Sequence, residues 1–163
     1  MMKKLLFLLL LLLPMMANAQ VSYGNTTWGS YNMKINVSTE NDSIFLNVIY
    51  TDEKLKLTDT PKLLLRLMDD TVFSLVGSMM GKSSFSEGGV LVSGVIVESN
   101  YYVSEAKFPI TKEQILQFKK GLKKLRLNTS PRFHEKEWSH DKIGRRLYGC
   151  YLRSSSNSFE DGF

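Results

Sequence analysis

The amino-acid sequence predicts an α+β fold: a mostly antiparallel β-sheet or two-layer sandwich with a short crossover helix and a C-terminal helix. Three observations carry that expectation. Tyr31, Met33, Ile35 and Val37 alternate with Asn32, Lys34 and Asn36, the period of a half-buried strand. Thr111 and Gln114 stand at the spacing of a capping box, where each side chain satisfies a free backbone N–H of the other. Ile143, Leu147, Cys150 and Tyr151 fall at i, i+4, i+7 and i+8, one apolar stripe of a helix.

The elements follow in order. Residues 1–19 read as a secretory signal: Lys3 and Lys4 give a basic start, residues 5–13 are unbroken apolar, and Pro14 ends the run. Ala17-Asn18-Ala19 then supplies the small-residue exit, with cleavage between Ala19 and Gln20. A membrane-spanning helix needs about 20 apolar residues, more than this run provides. The expected localisation is therefore periplasmic or secreted, with no transmembrane segment after signal cleavage. The rest is read as a single globular β-rich domain over residues 20–153 and a flexible tail over residues 154–163. The single cysteine, Cys150, leaves no internal disulfide to stabilise it.

Residues 20–30 are polar and read as an irregular lead-in. Residues 31–37 and 43–51 form a first hairpin around Glu40-Asn41-Asp42. After a polar turn at 54–61, residues 62–68 and 71–76 form a second, with Asp69-Asp70 at its tip. Residues 81–89 read as a Gly/Ser loop with a turn at Gly88-Gly89, and residues 90–97 as a strand apolar on both faces. Gly94 within it suggests a bulge. A turn at Ser99-Asn100 leads to a strand over 101–108.

The helix over 111–121 has the fullest local signature. Besides the capping box, Ile110 and Ile115 are spaced as a hydrophobic staple. Glu113 lies in the first turn and Lys119 and Lys120 in the last, as the helix dipole favours, and Gly121 ends it. A strand over 122–128 follows, then a polar stretch over 129–137 and a second helix over about 139–152. Gly144 and Gly149 in that helix cost about 1 kcal/mol each relative to alanine, tolerable where another backbone approaches closely. An outer-membrane barrel, suggested by Phe163, is set aside because such barrels need strands of about 9–11 residues.

The stretch Phe108-Pro109-Ile110-Thr111-Lys112-Glu113-Gln114, continuing through Gly121 to Arg126, resembles small exported proteins of gut Bacteroidetes that carry no assigned activity. Asp141-Lys142-Ile143-Gly144 is similar to them too. The resemblance covers the C-terminal third, implies an exported protein of this fold, and carries over no functional residue. Asp42-Ser43-Ile44 and Asp70-Thr71-Val72 look like the Asp-Ser/Thr-apolar sites that such bacteria O-glycosylate.

Charge is the main functional signal. The net charge of +5 is uneven: residues 20–111 are net acidic and residues 112–153 strongly basic. The candidate anion-binding face is Lys123, Lys124, Arg126, Lys142, Arg145 and Arg146. Its expected partner is an anionic glycan, a lipid headgroup or an acidic protein. The bland alternative is that the basic C-terminal third docks on the acidic sheet or simply solvates its surface. Nucleic acid is not expected, since no reading motif is present.

His134, Glu135, Glu137, His140 and Asp141 are the one cluster of metal-ligand types, and a small metal-dependent hydrolase using His134 and His140 is the alternative function. The helical zinc motif wants histidines four apart with a glutamate between; these are six apart. Cys150 lies on an apolar stripe far from a helix start and reads as core. Tyr23, Trp28, Tyr31, Tyr101 and Tyr102 are aromatic enough to stack on sugars, but aromatics also fill strands. No catalytic motif and no cofactor is expected. The reading is an exported non-catalytic binding or structural module of unknown ligand.

Overall fold

A computed structural model describes residues 22–23, 27–30, 32–92 and 95–160, with side chains described over 32–88 and 100–155. The segment expected to be a signal peptide, with its expected cleavage site at Ala19 and Gln20, lies outside the described residues. So do Tyr31 and Gly94, and the side chains of Tyr23 and Trp28.

The strands run in chain order as β1 (Ser22–Tyr23), β2 (Thr27–Ser30), β3 (Met33–Glu40), β4 (Ser43–Asp52), β5 (Lys56–Leu57), β6 (Lys62–Leu67) and β7 (Val72–Val76). They continue as β8 (Ser78–Met79), β9 (Ser84–Val92), β10 (Val95–Ile110), β11 (Leu122–Leu127), β12 (Thr129–Ser130) and β13 (His134–Glu137). Helix α1 (Lys112–Gln117) continues into a 3-10 turn, Phe118–Lys120, and α2 spans Gly144–Glu160. A seven-stranded sheet has the order β1-β3-β4-β10-β8, with β2 on β3 and β9 on β10; a four-stranded sheet has the order β13-β11-β6-β7; β12 and β5 form a third. The pairings are antiparallel. The α+β class is as expected, with a short internal helix and a longer C-terminal helix.

Alternation builds the core. On β3, Met33, Ile35 and Val37 point inward, and the register sets them against Tyr50, Val48 and Leu46 of β4. Leu46 and Val48 in turn face Phe108 and Ala106 of β10. In the other sheet the inward row is Leu63, Leu65 and Leu67, paired across to Leu127, Leu125 and Leu122. Both rows, with Ile143, Leu147, Cys150 and Tyr151 of the C-terminal segment, form one hydrophobic cluster. Burying side chains of this size stabilises by about 1.5–3 kcal/mol each.

The first hairpin turns on Asn41 and Asp42, both at positive φ (46° and 63°), and Glu40 pairs with Ser43. Two positive φ values in a two-residue loop match the twist of the flanking strands, and Asn and Asp are the non-glycine residues that accept them most readily. The capping box at Thr111 is present in both directions, Gln114 N to Thr111 Oγ1 at 3.2 Å and Thr111 N to Gln114 Oε1 at 3.0 Å. Helix α1 then crosses from the seven-stranded sheet to the four-stranded one, and Gly121 at φ 86° makes the exit.

Six local expectations are corrected. The lead-in expected to be irregular over 20–30 contains β1 and β2, both paired with β3, and the polar turn over 54–61 contains β5, paired with β12. Residues 84–89, expected as part of a loop, carry the strand expected from residue 90 back to Ser84, and Gly88-Gly89 pair with Ser99 and Glu98 inside the β9–β10 ladder. Ser99-Asn100 accordingly lies within β10. The polar pair sits in the ladder opposite Gly88 and Glu87, where cross-strand hydrogen bonding accommodates it. The polar stretch 129–137 contains β12 and β13, because an edge strand needs no buried row of its own. Helix α2 begins at Gly144 rather than near Ser139 and continues past Arg153 to Glu160, with Ser154 fully buried and its hydroxyl 3.1 Å from Thr39 Oγ1. Among the described residues no helix is long and apolar enough to cross a membrane.

Candidate functional site

The six basic residues of the expected anion-binding face separate into two groups with opposite electrostatics. Lys123, Lys124 and Arg126 lie on β11. Register places Glu137 opposite Lys124 and Glu135 opposite Arg126 on β13. Lys124 Nζ is 2.7 Å from Glu135 and 3.4 Å from Glu137, and Arg126 brings Nη2 to 2.6 Å and Nε to 2.7 Å from Glu135. The ring of Phe133 covers the Arg126 guanidinium at 4.3 Å. Lys123 reaches Asp70 at the tip of the β6–β7 hairpin at 2.8 Å, and Lys120 reaches Asp69 beside it at 2.7 Å. The bond to Glu135 raises the Lys124 pKa, and the bonds from Lys124 and Arg126 lower that of Glu135. Lys120 and Thr71 together hold Asp69 down at about 2. The charge on β11 is thus neutralised within the fold.

Lys142, Arg145 and Arg146 are different. All three are exposed at the start of α2. Among the described residues Lys142 and Arg146 have no ion-pair partner, and Arg145 has only a loose contact, 3.8 Å from Asp141. The first turn of a helix is its positive end, so cations there are disfavoured by about 0.3–1 kcal/mol each. The fold keeps them there with a rigid anchor. Asp141 accepts from the backbone N–H groups of Gly144 at 2.7 Å, Arg145 at 3.0 Å and, across the chain, Leu122 at 3.0 Å. Burial pushes its carboxyl upward, but the amides of Leu122, Arg145, Gly144 and Ile143 outweigh that and hold it below the ordinary range. The carboxylate stays ionised, but its oxygens are taken up by backbone amides, and the one cation it meets among the described residues is Arg145, at 3.8 Å.

Two further cations extend this surface. Arg153 is exposed one heptad after Arg146, on the same side of the helix. Lys119 Nζ stands 4.8 Å over the ring of Tyr148. The i, i+7 spacing of Arg146 and Arg153 is the sequence signal for the first; the second needs the packing of the 3-10 turn on α2. Leu152, nearly half exposed, sits beside them.

The histidines do not converge. His134 is on β13 with its ring 5.1 Å from that of Tyr50, and burial lowers its pKa. His140 is exposed, with Nδ1 3.1 Å from Ser139 Oγ. Glu135 and Glu137 face Lys124, and Asp141 is held by amides. Among the described residues no group of three or more His, Cys, Asp or Glu is arranged to hold a metal. Cys150 is buried, and burial pushes its thiol up against the opposing effect of Arg153. That is the environment of an inert core thiol rather than a nucleophile.

One polar cluster was not legible in the sequence. Asp52 accepts from Asn32 Nδ2 at 2.9 Å, the Tyr50 hydroxyl at 3.2 Å, and the backbone N–H groups of Lys54 and Leu55, both at 2.9 Å. Burial would raise the carboxyl, yet these four donors bring it below its ordinary value. A carboxylate held by four donors is a turn anchor and a poor general base.

No protein-family model, no curated protein and no solved structure matches this chain.

Proposed function

We propose that the protein is an exported, non-catalytic binding module that holds an anionic partner on the outer face of its C-terminal helix. The observation that carries this reading is the contrast between the two basic groups. The cations of β11 meet acidic neighbours, whereas Lys142, Arg145 and Arg146 stand exposed at the positive end of α2. Local energetics disfavours that placement, so a partner that supplies negative charge gives it a role. An anionic glycan, a lipid headgroup and an acidic protein all supply such charge. Export rests on the basic start, the apolar run and the Ala17-Asn18-Ala19 exit, with support from the resemblance to exported Bacteroidetes proteins.

Retention of the mature protein on a heparin column, read as the salt needed for elution, tests the assignment. Arg145→Glu/Arg146→Glu should elute at much lower salt, because each lost contact lowers the salt dependence of an electrostatic interface. Lys123→Ala/Lys124→Ala/Arg126→Ala should elute close to the wild type. The reverse order would move the site to β11, and salt-independent retention would remove the reading.

A further inference from the structure

A second surface, separate from the basic face, has the composition of a small-ligand site. At the end of the seven-stranded sheet, the β3–β4 turn, the end of β10 and the middle of α2 enclose a groove of about 750 Å³. That volume is in the range of small-molecule clefts. Its floor is apolar: Ile44 and Ile110 are directly opposite in the β4–β10 ladder, and Tyr151 lines it from the helix.

Tyr151 is the first reason to read the groove as a site. The residue is 9% exposed and its ring meets that of Tyr148 at 6.3 Å, but its hydroxyl has no hydrogen-bond partner among the described residues. A buried phenol ordinarily finds one, so this hydroxyl is left to a group arriving from outside. The rim is the second reason. Asp42 and Lys112 both line the groove, both are exposed, and neither has an ion-pair partner among the described residues. Each lies two residues beyond the paired Ile44 and Ile110, and the antiparallel register brings both to the same end of the sheet.

An unpaired carboxylate and an unpaired ammonium beside an apolar floor are complementary to a molecule with an ammonium, a carboxylate and apolar side chains. We propose that this groove binds a short zwitterionic peptide. Its amino group meets Asp42, its carboxylate meets Lys112, and its side chains lie on Ile44 and Ile110. A peptide carbonyl accepts the Tyr151 hydroxyl. A neutral saccharide would satisfy Tyr151 but give both rim charges only uncharged partners, so it is the less complementary ligand.

The probes are Leu-Leu, its N-acetylated and C-amidated form, and maltotetraose, each titrated into the ¹⁵N-labelled mature chain and followed by NMR. Leu-Leu should shift the amides of Ile44, Ile110, Thr111 and Tyr151, and the doubly blocked peptide should bind at least about tenfold more weakly, since each end loses a charge-assisted hydrogen bond. Tyr151→Phe should weaken Leu-Leu by about fivefold, one neutral hydrogen bond, while leaving the melting temperature unchanged. Asp42→Asn keeps a residue that tolerates the turn's positive φ, so it should fold normally and erase the preference for a free amino group. The proposal fails if the blocked and free peptides bind alike, if the shifts map elsewhere, if maltotetraose binds in place of the peptide, or if no shift appears at about 10 mM Leu-Leu.

Discussion

A methyl group added at Gly144 would stand 2.5 Å from the backbone nitrogen of Leu122 and 2.9 Å from the carbonyl carbon of Gly121. Neither atom is the free end of a side chain, so the backbone itself would have to move. At Gly149, five residues on, the same methyl meets nothing nearer than the Arg153 guanidinium at 3.6 Å. The two glycines of one helix therefore have opposite expected outcomes. Gly144→Ala should lower stability by about 1–3 kcal/mol, the usual cost of overpacking. Gly149→Ala should raise it by up to about 1 kcal/mol, the helix-propensity difference. Urea denaturation of the two variants reads both signs in one experiment. The sequence announces that each glycine is a cost in a helix; which of them has a backbone pressed against it is tertiary information.

At the scale of elements, the start of α2 is tied to pH through Asp141. Its carboxyl has a folded pKa below the ordinary value of 3.8, so the unfolded chain takes up a proton first as the solution is acidified. The stabilisation is complete above the ordinary value and is lost as pH falls through it toward the folded pKa. Asp141→Asn removes this component. Its stability should fall less steeply than the wild type between about pH 5 and pH 2, measured as melting temperature against pH. Asp52 and Asp69 supply acid sensitivity in both proteins. An equal slope in the two would show that Asp141 does not anchor the helix.

The same scale shows why some elements could be read and others not. The β3–β4 hairpin and α1 carry their instructions locally: alternation, a two-residue turn and a capping box all lie within a few residues of the structure they specify. The strand His134–Glu137 has no apolar alternation, because it is an edge whose Glu135 and Glu137 pair with cations of β11. Polar residues alone look like a loop until the partner strand is known. The start of α2 is hidden from the sequence for a related reason. Ser139 resembles an N-cap by type, whereas Asp141 is selected by a third donor, the Leu122 amide, contributed from 19 residues away. The candidate site was half legible: the basic run is visible in the sequence, but the neutralisation of Lys123, Lys124 and Arg126 depends on which acids the two hairpins deliver. The groove was not legible, since Asp42, Lys112 and Tyr151 belong to three separate segments.

Across the whole molecule, the inward rows of two sheets and the stripe of α2 share one core, with Cys150 inside it at 1% exposure. The thiol is therefore a reporter on that core. Its reaction with a disulfide reagent should run at least about a thousandfold slower than that of an exposed thiol and follow the unfolding equilibrium as urea is added. A fast reaction in the absence of urea would show that α2 detaches independently of the sheets. Cys150→Ala should lower stability modestly while leaving the fold intact, because it removes a small core side chain together with the 3.6 Å contact that Arg153 Nη2 donates to its sulfur.

The hydroxyl contact between Thr39 and Ser154 joins residues 115 positions apart. A chain that emerges N-terminus first, from a ribosome or through a membrane pore, delivers β3 early and its covering helix almost last. Until Ile143, Leu147, Cys150 and Tyr151 arrive, that side of the sheet stays wet and the molecule cannot close. Completion of the core is thereby postponed until the last part of the chain has been delivered.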